Sequence, residues 1–497
     1  LRTNRGLDAP TFDPIHDDSS QADQFLRFVS PANKRDSVAL NLSNQLAQFQ
    51  IPINTDPNNP NDPQVSVPGT DDVQREYDRY ASLNFTRATN DLQGQLQIIP
   101  WVRSTRVAFD GDLPLDVLAT LPNPNTGAPT NLAGLRQDRR ADYVGIRASD
   151  FRATEHHEFK VGADVSRETF SSTQTFAQFQ QPSVTASVSQ AGSQIGLYAQ
   201  DKWSPSRAVT VNYGLRYDHS TGFVSGNQLS PRLGVNLAPD STNVLHFYYG
   251  KLYAAPQLED VRQDCVLLQG CNTEPVYDLK PETDYYGEMG IAHTFSPTLH
   301  GYVNYWERNA VNVLDTTQFL NTPIFAVFNN AVGRANGIEF RLDGRPSAAN
   351  SWFFSGTVSQ ALASGISGST FLFPASSLSA TSLQPEDHDQ TYAAESAFTH
   401  RFGRGLANFA TLEADYGSGY PVQFQNGSGR LPTHLLFALA LGRRASGAGG
   451  HDLGFDLSID NLLDHQYVIK IANGFNTTQI ADRRKILFRV TAPFGGS

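Results

Sequence analysis

The sequence predicts an all-β chain, a transmembrane antiparallel up-and-down β-barrel of about 19 strands, and three observations predict it. The first is alternation. In "VTVNYGLRYDHS" (209–220), Val209, Val211, Tyr213, Leu215 and Tyr217 alternate with Thr210, Asn212, Gly214, Arg216 and Asp218. Successive side chains of a strand point to opposite faces, so the segment has one apolar face and one polar face. The second is the order of connections, which run short, long, short, long along the chain. The third is strand length, because many alternating segments run about 12–18 residues against about 5–6 for ordinary strands.

Strands are expected to start near residues 23, 35, 73, 92, 139, 156, 193, 209, 229, 243, 284, 299, 335, 351, 391, 405, 432, 451 and 483. Short links such as "SPANK" (30–34), "ATND" (88–91), "SPSRA" (204–208), "APDSTN" (238–243) and "FSPT" (295–298) carry turn residues. Long polar loops are expected at 53–72, 110–138, 171–192, 219–228, 257–283, 313–334, 364–390, 418–431 and 471–482. In an up-and-down sheet alternate connections share an end, so every short turn lies at one rim and every long loop at the other. On that reading Val209, Val211 and Leu215 face lipid, with Tyr213 and Tyr217 on the same surface. Asn212, Arg216 and Asp218 face the interior. Residues 1–22 read as the remnant of an extracellular loop, 23–494 as the barrel and 495–497 as a short tail. The first and last strands both run downward. An odd number of further strands is therefore expected upstream, and three would make the 22 of plugged transporters.

Composition fits this class. The chain has 497 residues, 39% of them apolar, with 39 Gly, 31 Phe, 18 Tyr and a single Met, a mixture that suits extended structure better than packed helices. The net charge of -11 argues against a nucleic-acid partner, which needs a basic footprint. No apolar run reaches the roughly 18–20 residues of a spanning helix. "LRTNRGLDAP" has neither an initiator methionine nor the apolar core of a signal peptide, and the expectation is a processed or truncated chain. Cys265 and Cys271 in "DCVLLQGC" suit a local disulfide in an oxidising compartment, or else two unpaired thiols.

Several stretches carry a resemblance. "QDKW" (200–203) is followed by "GLRYD" (214–218). "YGKLYAAPQLEDV" (249–261) places Ala255, Pro256, Leu258 and Glu259 in an Ala-Pro-x-Leu-x-Glu/Asp pattern. "LKPET" (279–283) precedes "YYGEMGI" (285–291). "GRANGIEFRL" (333–342), "DHDQTY" (387–392) and "IDNLLDHQY" (459–467) follow in order. Together they resemble the barrel of TonB-dependent outer-membrane receptors. Each motif is read as a turn or packing element that identifies the barrel without binding substrate. The last strand is similar to an outer-membrane assembly signal, with Ile486, Phe488, Val490, Ala492 and Phe494 alternating before a departing "GGS". The resemblance implies a bacterial outer-membrane location, lipid and lipopolysaccharide around the barrel, the barrel assembly machinery and a small-molecule or oligosaccharide ligand as partners. It also implies a plug domain that contacts TonB. Neither plug nor TonB-contacting segment is recognised in these residues, so coupling is expected to run through a plug outside this chain.

No catalytic residues, cofactor or metal are expected. The histidines, His16, His156, His157, His388 and His465 among them, show no metal-ligand spacing. There is no nucleophile elbow and no P-loop. Asp17-Asp18 and Asp71-Asp72 read as solvated loop faces rather than calcium sites. Three readings compete. The leading one is a receptor that takes up a scarce large solute (siderophore, cobalamin, haem, metal complex or oligosaccharide), with Tyr253, Arg262 and Tyr277 as candidate ligand contacts. The second is a passive channel or porin, which conductance would reveal. The third is a soluble β-rich binding or adhesion protein, which solubility without detergent would reveal.

Overall fold

The computed structural model describes residues 2–3, 15–52, 71–89, 93–113, 119–122, 129–178, 183–256, 278–318, 325–368, 378, 382–424, 427–445, 453–470 and 479–492. Nineteen strands of seven residues or more form the wall. They are β1 (Ser19–Pro31), β2 (Asp36–Gln50), β3 (Val73–Thr89), β4 (Gly94–Asp110), β5 (Pro129–Ala153), β6 (His157–Gln178), β7 (Val184–Ser206), β8 (Val209–Thr221), β9 (Gly226–Leu237), β10 (Asn243–Ala254), β11 (Glu282–Ser296), β12 (Leu299–Gln318), β13 (Phe325–Gly344), β14 (Asn350–Gly368), β15 (Tyr392–Phe402), β16 (Asn408–Gly417), β17 (His434–Arg443), β18 (Gly454–Asp460) and β19 (Lys485–Thr491). Each pairs antiparallel with the next in sequence. The short segments Arg2–Thr3, Ala119–Pro122 and Gln384–Pro385 join the same sheet. Among the described residues β19 pairs only with β18, and β1 only with β2 and Arg2–Thr3.

Register carries the alternation across the whole wall. Leu26, Leu42, Ala81, Val102 and Val144 lie side by side on one rung of five successive strands. Ala163, Leu197, Tyr217 and Leu229 continue such a rung, as do Met289, Tyr305, Ile338 and Val358 and Leu412, Leu439, Ile459 and Ile486. These side chains stand open to the surroundings: Met289 is 56% exposed and Leu215 44%. An apolar band of this extent is unfavourable in water and favourable in hydrocarbon. Tyr213 and Tyr217 share that face, while Arg216 and Asp218 pair on the inner one at 2.8 Å. Ile486, Phe488 and Val490 lie on the outer face of β19; Phe494 lies outside the described residues.

Space on the inner face is made by glycine. A side chain at Gly145 would meet the ring of Trp101, and one at Gly196 would meet the guanidinium of Arg216. Each bulky inward group therefore lies flat over a bare backbone on the neighbouring strand.

The short connections among the described residues, 32–35, 154–156, 207–208, 238–242, 297–298, 345–349 and 403–407, all sit at one rim. Asp240 shows how a short turn is tied. Its carboxylate accepts from the Asn243 side-chain amide (2.8 and 3.0 Å), from Thr242 Oγ1 (2.7 Å) and from the backbone N–H of Thr242 (2.7 Å) and Asn243 (2.8 Å), and these donors hold its pKa well below the usual carboxylate range. At the other rim the expected long loops divide. Strand pairing continues to Gln178, Thr221 and Gln318, so the connections at 179–183, 222–225 and 319–324 are short and the predicted loops 171–192, 219–228 and 313–334 are largely strand. The reason is chemical. "SSTQTFAQ" above the apolar band has no hydrophobic alternation because both of its faces are polar: Ser172 and Gln174 are buried on the inner one, and on the outer one Thr173 pairs with Ser187 and Thr175 with Thr185, each at 2.9 Å. The first strand also begins earlier than expected, at Ser19.

Candidate functional site

The inner wall of β2–β8 is built of charge and aromatic rings. Ser43, Tyr80, Arg103, Tyr143 and Glu168 form one inward rung. Arg103 donates twice to Asp78, at 2.7 and 3.1 Å, and lies 5.9 Å from the ring of Tyr143. Arg147 pairs with Asp164 at 3.1 Å and sits over Trp101 at 5.1 Å, and Trp101 stacks on Tyr80 at 6.3 Å. Together with Arg216, Asp218, His219 and Tyr253 these groups line a concavity of about 750 Å³. Such a surface holds a polar or charged guest through oriented donors, with rings for its flat parts. Farther round, Tyr248 and Tyr286 meet at 6.0 Å, and His246 bonds Asn304 at 3.0 Å.

The motifs that identify the chain are structural clamps. Leu279 is buried with Val327 against Phe223, Val224 and Leu314. Lys280 is held through its backbone: its N–H donates to Asn329 Oδ1 at 2.8 Å, and Asn329 Nδ2 donates to the carbonyls of Lys280 (3.1 Å) and Asn312 (2.7 Å). Glu282 accepts from Arg308 and from Leu314 N–H. Asn329 is fully buried. Asn329→Ala strands these backbone partners at about 1–3 kcal/mol each, and the urea midpoint of the detergent-folded protein is expected to fall accordingly. In "DHDQTY", Asp389 accepts from Ala361 N–H at 2.8 Å and from Arg430. In "IDNLLDHQY", Asn461 Nδ2 donates to the carbonyls of His465 (2.9 Å) and Asp482 (3.0 Å).

A row of rings crosses the upper rim. His434 stacks on Tyr467 at 4.2 Å and on Tyr420 at 6.4 Å. His465 follows Tyr467 at 5.8 Å, and His388 meets Tyr420 edge-on at 6.3 Å. Beside it Lys470 pairs with Asp387. Burial and the neighbouring Asp315 and Asp387 raise the Glu386 carboxyl to about 7. A carboxyl with a raised folded pKa favours the folded state below its unfolded pKa and loses that contribution as pH rises through the folded value. Residues 384–391 should therefore exchange amide hydrogens faster at pH 8 than at pH 5, after correction for intrinsic exchange, and Glu386→Gln should abolish the difference.

Of the ligand-contact candidates, Tyr253 lines the inner concavity, its hydroxyl 2.7 Å from that of Ser220. Arg262, Tyr277, Cys265 and Cys271 lie outside the described residues. The histidines singled out in the sequence make local contacts: His157 with Asp201 at 2.6 Å, His156 with the Ser204 carbonyl at 3.1 Å, and His16 with Asp71 at 2.8 Å. Sequence reading missed the inner ladder of paired Arg and Asp, although the alternation of Asp78, Arg103, Arg147 and Asp164 with apolar neighbours was its signal.

No curated protein matches the chain in sequence. Solved structures do match in fold. A copper transporter, OprC, superposes with a TM-score of 0.69 at 11% identity, over 97% of this chain and 73% of that one. The siderophore receptor PiuA from Acinetobacter baumannii gives 0.69 at 12%, over 97% and 75%. The pyoverdine receptor FpvA from Pseudomonas aeruginosa PAO1, bound to pyoverdine, gives 0.69 at 12%, over 99% and 73%. The sequence profile described as "TonB dependent receptor-like, beta-barrel" matches residues 11–462. With that match over most of its length, and a wall apolar outside and charged within, the chain belongs to the TonB-dependent receptor family of outer-membrane β-barrels.

Proposed function

We propose that this chain is the barrel of a receptor that takes up a scarce, large solute, namely a siderophore, cobalamin, haem, another metal complex or an oligosaccharide. Energy is delivered by TonB through a plug domain, and the chain performs no catalysis. The observation that carries the reading is the concavity of about 750 Å³ on the inner wall, where Arg103, Arg147 and Arg216 stand beside Tyr80, Trp101 and Tyr143. Fixed cations and flat rings suit a bulky oxygen-rich guest, and family membership supports passage inward. The test is accumulation of labelled ferric siderophores, haem, cobalamin and maltodextrins by cells with and without the native gene. One class should accumulate at least tenfold more with the gene, and a protonophore should abolish the difference. Accumulation that survives the protonophore would make the protein a passive channel, and accumulation of no class would reject uptake.

A further inference from the structure

We infer that the inner face of the short-turn rim holds an anion site, formed by Arg345, Arg401 and Arg444, that takes a small polyanion with two or more carboxylate or phosphate groups. In outer-membrane barrels this rim faces the periplasm, so the site lies nearer the exit than the concavity of Arg103, Arg147 and Arg216. The inference deepens the uptake reading, on which it rests for the direction of passage, by naming the class of solute that leaves here.

Alternation sets the three side chains inward. Ile338 lies on the outer face of β13, Phe398 and Phe402 on that of β15, and Leu441 on that of β17. Arg345, Arg401 and Arg444 stand an odd number of residues from them, hence on the inner face. All three close their strands. Arg345 follows Gly344, the last residue of β13; Arg401 is the last but one of β15; Arg444 follows Arg443, the last of β17. Backbone bonds still hold them in the ladder: the N–H of Arg345 donates to the Thr298 carbonyl (2.8 Å), that of Arg401 to Ala349 (2.7 Å) and that of Arg444 to Ala407 (2.9 Å). Register steps them toward the rim. Beside Arg345, one residue past the Gly344–Trp352 pair, runs the rung of Ser351, Thr399 and Thr411. One inward rung lower, Arg401 lies next to Phe409 and then Gly442, and Arg444 is one lower still.

Among the described residues none of the three pairs with a carboxylate. On this part of the inner face Asp343 is held by Arg341 at 2.8 Å, and Asp456 lies 4.0 Å from Arg489. Glu413 stands two inward rungs above Phe409, about 13 Å along the strand. Arg401 instead feels the repulsion of Arg345 and Arg444. Its Nε is buried and has no hydrogen-bond partner among the described residues. A buried charged donor without an acceptor is costly, and converging like charges add to the cost. An anion between the guanidinium groups removes both. The lining leaves room for one. Ala349, Ser351 and Ala440 are small, and a side chain at Gly442 would meet the ring of Phe409, which lies over it. The hydroxyls of Thr399 and Thr411, 2.9 Å apart, adjoin the cations. The concavity differs: there Arg103, Arg147 and Arg216 each have an aspartate, Asp78, Asp164 and Asp218. Uncompensated positive charge at the exit draws a polyanion toward the short-turn rim and does nothing for a neutral oligosaccharide.

The test is isothermal titration calorimetry on the full chain, folded in detergent at low ionic strength, with citrate, pyrophosphate and acetate as probes. Citrate and pyrophosphate should bind at one per barrel, and singly charged acetate roughly tenfold more weakly. Arg401→Gln should weaken polyanion binding by roughly tenfold, the loss of one charge-assisted hydrogen bond. R345Q/R444Q, which leaves Arg401 in place, should do the same. Arg404→Gln removes a charge from the same rim outside the trio and should stay within about twofold of the parent. Heat-modifiable migration confirms that each variant is folded. No polyanion binding by the parent, equal binding of acetate, undiminished binding in both glutamine variants of the trio, or an equal loss in Arg404→Gln would overturn the inference. Uptake is measured separately. Polyanion binding without accumulation in cells would reject transport and keep the site, whereas accumulation without polyanion binding would overturn the site and keep transport.

Discussion

Arg308→Ala should lower the stability of the folded barrel by about 3–5 kcal/mol, the range for removing one partner of a buried charged group. Arg308 lies between two carboxylates on the inner wall. It bonds Glu282 and, through Nε, Asp284 at 2.9 Å. The side chains of Glu282 and Asp284 are only 8% and 9% exposed. Without the guanidinium, Glu282 keeps the Leu314 N–H and Asp284 faces a like charge at close range. Unfolding in urea after refolding into detergent measures the loss. A change below about 1 kcal/mol would mean that the cluster behaves as an exposed pair. Adding Glu282→Gln and Asp284→Asn to the arginine variant should recover part of the stability, because the repulsion is then gone.

The next largest effect tests the assignment of the two faces. Leu215 lies in the apolar band, with Ala199 and Pro231 as its cross-strand neighbours. Leu215→Arg should cost about 2–4 kcal/mol in a lipid bilayer, the value for a basic side chain near the midplane of a barrel. Its chain neighbour Arg216 points inward, is itself exposed at 39% and pairs with Asp218, so Arg216→Gln should cost below about 1 kcal/mol. The same pair of measurements in both variants, folded into vesicles, decides it. If the arginine at 215 were the milder change, the wall would have been read inside out.

Much of this architecture is legible in the sequence because a barrel in lipid imposes a period of two on every strand that crosses. All nineteen expected strands have counterparts, and several begin where alternation begins, as at Val73, Val209, Asn243 and Leu299. What alternation marks is the apolar band, so strand that extends beyond the band is invisible to it. That is why β6, β7, β12 and β13 outrun their predicted ends, and why the short strands Pro421–Phe424, Gly427–Arg430 and Gln479–Ile480 fall within the expected loops 418–431 and 471–482. The site was less legible. Arg103 and Asp78 are 25 residues apart and become partners only through the β3–β4 register. Arginines on the outer wall were equally hidden. Arg79, Arg106, Arg140 and Arg167 are scattered in sequence, and only pairing brings them onto three adjacent rungs of one outer face.

The bare backbone beneath Trp101 and Arg216 has a bearing on bore. Large groups recline in hollows along the lining instead of standing out from it, so they take up less of the space beside the wall than their bulk alone would. Filling a single hollow with a methyl group would tip one ring or guanidinium toward the axis. Calibre could therefore be adjusted one residue at a time, with strand number and tilt untouched.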